Sequence, residues 1–257
     1  APSACESLQV VDRPTMTRKL KVLLLHGYAQ SAVAFRSKTG SVRKESKKLA
    51  DFVFAAAPHP LSAAQLAARR AATKRPASSS SSARQIEADD EGVATWWHFD
   101  HAAQTYDEAS LDASLDALET VFRNEGPFDG VGGFSQGACL SLILASRLQR
   151  GLLSERSAIA FDFVMLFSGF LPHDERLTAA MRDCGRLEMP SFHSFGTSDG
   201  IITPAQSSAA ASIFADEMRT EVTHAGGHLV SSERGVRKGV KSFLTARRLE
   251  LDGGEMM

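Results

Sequence analysis

The hydrophobic positions of this chain gather into short unbroken runs, separated by longer stretches in which apolar and polar residues alternate with helical spacing. Residues 21–25, 51–57, 161–167 and 190–195 are the apolar runs. Runs of this length, apolar at nearly every position, suit strands buried on both faces of a parallel sheet. A further strand is expected over 128–131, behind the Gly126-Pro127 breaker, and a short last one over 221–224. Between them the spacing predicts helices over 32–49, 106–123, 138–148, 174–182, 204–218 and 231–247. In the second of these, Leu111, Leu115, Leu118 and Phe122 recur every three or four residues while Asp107, Asp112, Asp116 and Glu119 point outward. Pro204 suits the first turn of its helix. Strands alternating with helices predict a doubly wound α/β domain, with a mainly parallel sheet and helices on both faces.

The pattern lapses in three places. Residues 1–18 read as a disordered lead-in, and 249–257 as a frayed tail. Residues 61–92 begin alanine-rich, pass Pro76, reach five serines at 78–82 and then an acidic patch. Such a segment buries too little apolar area to offset its chain entropy, so it reads as an insertion, part helix and part disordered. The domain itself is expected over 19–248. The insertion rejoins it at Trp96-Trp97-His98-Phe99, where packing and the lining of a pocket are both open readings for the two tryptophans.

Composition narrows the function. The formal net charge is −1, which gives no bulk attraction to nucleic acid or an anionic surface. No apolar run is long enough to span a membrane, and the first 19 residues lack the apolar core of a signal peptide. The three cysteines, Cys5, Cys139 and Cys184, are too few and scattered for a disulfide framework or a zinc site. This usage fits a reducing, cytoplasmic setting, and Cys139 is expected as a buried core thiol. Neither metal nor nucleotide cofactor is indicated. Gly130-x-Gly132-x-x-Ser135 superficially matches a dinucleotide fingerprint, but serine stands where its last glycine belongs.

That serine is the centre of Gly133-Phe134-Ser135-Gln136-Gly137. A hydroxyl becomes a useful nucleophile when a sharp strand-to-helix turn lifts it clear of the backbone beside a base. Such a turn strains the serine and leaves no room for side chains two residues before and after it, so both positions call for glycine. A base and a group to hold its tautomer are then needed. His228 follows Gly226-Gly227, and Asp199 lies in a turn after the 190–195 strand. Rival acids are Asp162, inside a strand, and Asp174, after the wrong strand end; rival bases are His193, inside a strand, and His224, which lacks the preceding glycines. The order Ser, Asp, His is that of the α/β-hydrolases. For the oxyanion, the backbone N–H of Gln136 is one expected donor and that of Tyr28, in the loop after the first strand, the other. His26 is expected to order that loop. Phe134, Phe170, Trp96 and Trp97 are candidates for an apolar acyl pocket.

Leu25-His26-Gly27-Tyr28, Gly133 to Ala138, Gly196-Thr197-Ser198-Asp199-Gly200 and Gly226-Gly227-His228 together resemble the FSH family of serine hydrolases, over about residues 19–244. The resemblance implies an α/β-hydrolase fold and cofactor-free hydrolysis of a small carboxylic ester through Ser135, Asp199 and His228. A thioesterase or acyl-protein depalmitoylase would use the same three residues, and a non-catalytic binding protein could keep the fold. The insertion, and the absence of a proline after Val230, depart from the family pattern.

Overall fold

The computed structural model describes residues 18–72, 92–100, 105–182 and 185–254. The lead-in at 1–17, insertion residues 73–91, and Cys5 and Cys184 lie outside the described residues, and the described start of the insertion holds helix α3 (Ala63–Ala72). In chain order the strands are β1 (Leu20–Leu25), β2 (Ala50–Ala55), β3 (His59–Pro60), β4 (Ala94–Thr95), β5 (Phe99–Asp100), β6 (Thr105–Tyr106), β7 (Gly130–Phe134), β8 (Phe163–Phe167), β9 (Ser191–Gly196) and β10 (Arg219–His224). Six of them form one sheet in the order β10-β9-β8-β7-β1-β2. All its pairings are parallel. This is the doubly wound parallel sheet that the alternation of elements predicts, and the α/β-hydrolase fold that the resemblance implies.

Why the apolar runs are unbroken is visible in where alternate residues go. Leu23 and Leu25 of β1, with Val164 and Leu166 of β8, enter a core on one face. Leu20, Val22 and Leu24, with Phe163, Met165 and Phe167, enter a second core on the other. A period of two with both faces covered leaves little room for polar residues, and Lys21 of β1 is half-buried rather than enclosed. The first core is roofed by α4 (Glu108–Glu125), through the predicted Leu111, Leu115, Leu118 and Phe122, and by α5 (Gln136–Gln149). The second is roofed by α1 (Ala32–Lys38), α2 (Gly40–Ser46) and α8 (Arg234–Gly254), through Phe35, Val42, Val240, Phe243 and Leu244.

The larger differences from the sequence reading are the following. The expected 32–49 helix is two helices, because the Thr39 hydroxyl lies 3.1 Å from the carbonyl oxygens of both Phe35 and Arg36 and the chain turns there. The expected 204–218 helix stops at Ala211 in α7 (Pro204–Ala211), with a 3₁₀ turn at Asp216–Met218. Between them the backbone pairs with Leu187, Leu187 N–H to Ile213 O at 2.8 Å and Ala215 N–H to Leu187 O at 3.0 Å, which buries Phe214 completely. The expected 128–131 strand lies further on, at Gly130–Phe134, so its glycines are sheet and not loop. A Cβ on Gly130 would meet the Phe163 ring at 2.2 Å and one on Gly132 the Met165 carbonyl oxygen at 2.5 Å. Finally α8 continues to Gly254, past Leu249, where fraying is expected.

His193 on β9 is enclosed, with Nε2 3.0 Å from the Ser191 hydroxyl oxygen. Burial, aided by the charge of Arg219, lowers its pKa to about 3. The unfolded chain takes up that proton near 6.5. Between these values the unfolded state binds more protons, so stability falls as pH drops through the window. Urea unfolding at stepped pH should therefore give a falling free energy from about pH 6.5 to 3. His193→Gln should reduce the slope there by about one proton; an unchanged slope would contradict this assignment.

Candidate functional site

A parallel sheet brings the carboxyl ends of its strands to one edge, and the crevice there is where such folds work. The strand order sets the following segments side by side: the His228 loop after β10, Asp199 after β9, Ser168 after β8, Ser135 after β7 and the His26-Gly27-Tyr28 loop after β1. Four of these five are the positions that the sequence singles out.

Ser135 stands between β7 and α5 with φ 53° and ψ −116°. An L-residue pays for that conformation, so the surroundings must hold it. They do so by close approach. A Cβ on Gly133 would lie 2.3 Å from the Gly137 carbonyl carbon. One on Gly137 would lie 2.2 Å from the Leu25 carbonyl oxygen and 2.5 Å from that of His26. The two glycines thus have different partners, one within the elbow and one at the end of β1. Because both contacts of Gly137 are backbone, neither can swing away. Gly137→Ala should cost upwards of about 2 kcal/mol, read as a lowered thermal midpoint. A wild-type midpoint would sink this account of the elbow.

Asp199 and His228 are joined. His228 Nδ1 lies 2.8 Å from Asp199 Oδ2, and the carboxylate can only accept, so Nδ1 carries the proton. The other oxygen, Oδ1, accepts from the backbone N–H of Ile201 at 2.9 Å and Ile202 at 3.0 Å. Burial works to raise the Asp199 pKa, but the hydrogen bonds from His228, Ile201 and Ile202 outweigh it and hold the carboxyl below its usual range. Phe134, the residue before Ser135, lies under the imidazole with ring centroids 4.6 Å apart. That contact brings His228 to the elbow.

The rival residues have other places. His193 is inside the sheet. His224 is buried, and neither of its ring nitrogens has a hydrogen-bond partner among the described residues. Asp174 accepts from Thr105, Arg176 and Leu177 ahead of α6 (Glu175–Arg182). Asp162 precedes β8, at the opposite edge of the sheet from the strand ends gathered here.

His26 is the loop-ordering residue expected of it. Its Nδ1 donates to Gly27 O at 2.8 Å, and its Nε2 accepts from Ala57 N–H at 3.1 Å, which ties the end of β1 to the segment after β2. Both nitrogens are occupied, and burial lowers its pKa, so it is neutral. In the same loop Gly27 N–H is taken by the Gln30 side chain at 3.3 Å and Ala29 N–H by Ala94 O at 3.1 Å; Tyr28 lies between them. Gln136 opens α5, so its N–H has no acceptor within the helix.

The Gln136 side chain has a role that the sequence does not reveal. Its Oε1 accepts from Trp96 N–H at 3.0 Å and lies 2.9 Å from the Thr95 hydroxyl, while its Nε2 donates to Trp97 O at 3.1 Å. It clamps the segment that returns from the insertion. Trp96 is wholly buried and gives its indole N–H to His26 O at 2.8 Å. Packing, not pocket lining, is therefore its role. Trp97 and Phe170 each keep 8% of their surface exposed and Phe134 keeps 5%; the first two pack in the first core and Phe134 in the second.

Ser168 is the residue that sequence reading passes over. It is fully buried, has φ 47°, and its hydroxyl lies 3.1 Å from Asp199 Oδ2. The available signal was its position directly after a strand. Among the described residues no cluster of three or more His, Cys, Asp or Glu is placed to hold a metal ion, and no helix is long and apolar enough to cross a membrane.

Comparison with known proteins gives a consistent picture. The serine hydrolase (FSH1) family profile matches residues 16–240. The chain is 35% identical over 237 residues to rhodanese-like domain-containing protein 6 of Arabidopsis thaliana, covering 88% of this chain but 39% of that protein. The chain thus spans well under half the length of this plant relative. It is 34% identical over 232 residues to esterase OVCA2 of Bos taurus, covering 88% of this chain and 95% of the bovine one. Among solved structures, Zea mays acyl-protein thioesterase 2 superposes with a TM-score of 0.58 at 17% identity, covering 92% of this chain and 96% of the maize one. At that identity the likeness is one of fold.

Proposed function

Because the chain belongs to the serine hydrolase (FSH1) family, we propose that it hydrolyses carboxylic esters of small molecules with Ser135 as nucleophile, His228 as general base and Asp199 as the acid that orients it. The observation that carries the proposal is the 2.8 Å Asp199–His228 pair, whose imidazole packs on Phe134, the neighbour in sequence of the strained Ser135. With the Nδ1 proton held by Asp199, the imidazole keeps its Nε2 lone pair for the serine. Ser135 Oγ attacks the ester carbonyl and Nε2 takes its proton. The charge on the carbonyl oxygen then rests on the N–H groups of Gln136, at the positive end of α5, and Tyr28. The imidazolium returns its proton to the departing alcohol. Water, deprotonated by the same nitrogen, then clears the acyl group from Ser135.

Phe134, Trp97 and Phe170 are proposed as the apolar wall for the acyl group. A cytoplasmic setting is proposed on the free, buried thiol of Cys139, whose pKa burial pushes up, and on the small number of cysteines. The test is covalent. A fluorophosphonate should label the protein while ester hydrolysis is lost in proportion, and peptide mapping should find the label on Ser135. Hydrolysis that survives full labelling, or a label on another residue, would overturn the assignment.

A further inference from the structure

We propose that Ser168 is a positioning residue that holds the Asp199 carboxylate through its hydroxyl; this rests on the triad reading above. Asp199 receives four donors. Two backbone amides, from Ile201 and Ile202, fix Oδ1. Oδ2 receives His228 Nδ1 at 2.8 Å and Ser168 Oγ at 3.1 Å. The amides anchor one oxygen only. Ser168 is the second support on the oxygen that faces the imidazole, and it comes from a different strand.

The direction of that bond is fixed. A carboxylate held ionised has no proton to give, so the hydroxyl is the donor. Ser168 is itself held, since its N–H donates to Ser194 O at 2.8 Å and its side chain is completely buried. Its φ of 47° belongs to the left-handed region that an L-residue enters only under constraint. Glycine would meet the backbone requirement at lower cost. Serine there is accounted for by the hydroxyl.

Two effects follow when the imidazole becomes cationic during turnover. The hydroxyl keeps Oδ2 aligned with Nδ1, which favours proton transfer. It also draws charge from Oδ2, which moderates the pull of the carboxylate on the imidazolium. Removing it should lower kcat by loosening the alignment, and should move the acid limb of kcat/KM to higher pH by leaving more charge on Oδ2. Among the described residues, the other titratable groups around the pair are His224, at the end of β10, and Glu233, ahead of α8. Both stay in place in the variants.

The experiment compares wild type with Ser168→Gly, which relieves the backbone, and Ser168→Ala, which keeps its strain. Both variants should stay folded with kcat about tenfold lower, KM little changed and the acid limb displaced upward. The downfield proton resonance of His228 Nδ1–H should shift in both, and this reading does not require turnover. If kcat, pH profile and resonance match wild type in either variant, the hydroxyl has no positioning role and the proposal falls. A resonance that shifts in the two variants, while the wild-type protein neither turns over esters nor labels, would leave Ser168 as the support of Asp199 while removing the hydrolase reading. The two failures are thereby separate.

Discussion

Ser135→Ala should abolish measurable ester hydrolysis, a fall in kcat of about 10⁶-fold if this site behaves as other serine triads do. The variant should also lose all fluorophosphonate labelling. The reason is chemical and local. In the proposed mechanism the Ser135 hydroxyl is the attacking group, and alanine has none. Its neighbours are unaffected, because α5, the two glycines and the Asp199–His228 pair do not depend on the hydroxyl. Alanine bears the same strain at φ 53° that serine does, so the thermal midpoint should match wild type. The residual rate should still exceed that of water alone by about 10³-fold, from the oxyanion donors and binding. Hydrolysis within tenfold of wild type would end the nucleophile assignment.

Asp199→Asn should lower kcat by about 10⁴-fold while leaving the fold intact. The direction comes from the four donors around this side chain. Ile201 and Ile202 N–H groups require an acceptor at Oδ1, so the amide oxygen of asparagine must occupy that place. The NH₂ group is then turned toward His228. It donates to Nδ1, which reverses the tautomer and puts the proton on Nε2. The imidazole can then no longer accept from Ser135. Labelling by fluorophosphonate should slow in parallel with hydrolysis, because both require the same base. A kcat within tenfold of wild type would mean that Asp199 does not set the tautomer.

How much of this was legible beforehand depends on the kind of signal. The sheet was legible because alternate residues of β1 and β8 serve two cores, and that leaves nearly unbroken apolar runs in the sequence. Ser135 was legible because its strain obliges glycines at fixed offsets. Asp199 and His228 were legible as residues just beyond strand ends, in the right order. Ser168 met the same positional criterion but lacks glycines two residues before and after it, and has no titrating side chain, so nothing marked it. The Gln136 clamp was hidden for another reason: its partners at 95–97 are separated from it by about forty residues, and no spacing rule spans that gap. Trp96 read equally as core or pocket because an indole suits both. Only its hydrogen bond to His26 O and its complete burial distinguish them. The break at Thr39 depended on one side-chain hydroxyl turning back on the previous turn of helix, which an apolar pattern cannot register.

The insertion leaves and re-enters the domain at paired positions. His59 stands opposite Thr95, Pro60 opposite Ala94, and Leu61 N–H bonds Val93 O at 3.3 Å. Gln136 and the β1 loop hold the returning strand from the other side. A stretch whose ends are already clasped can change length cheaply, since each doubling of a closed loop costs only about 0.6 kcal/mol of chain entropy. Evolution can therefore lengthen, shorten or rewrite this stretch without renegotiating the sheet. The same clasp is a natural graft point, where a foreign peptide or a reporter can be spliced in while the sheet stays as it is.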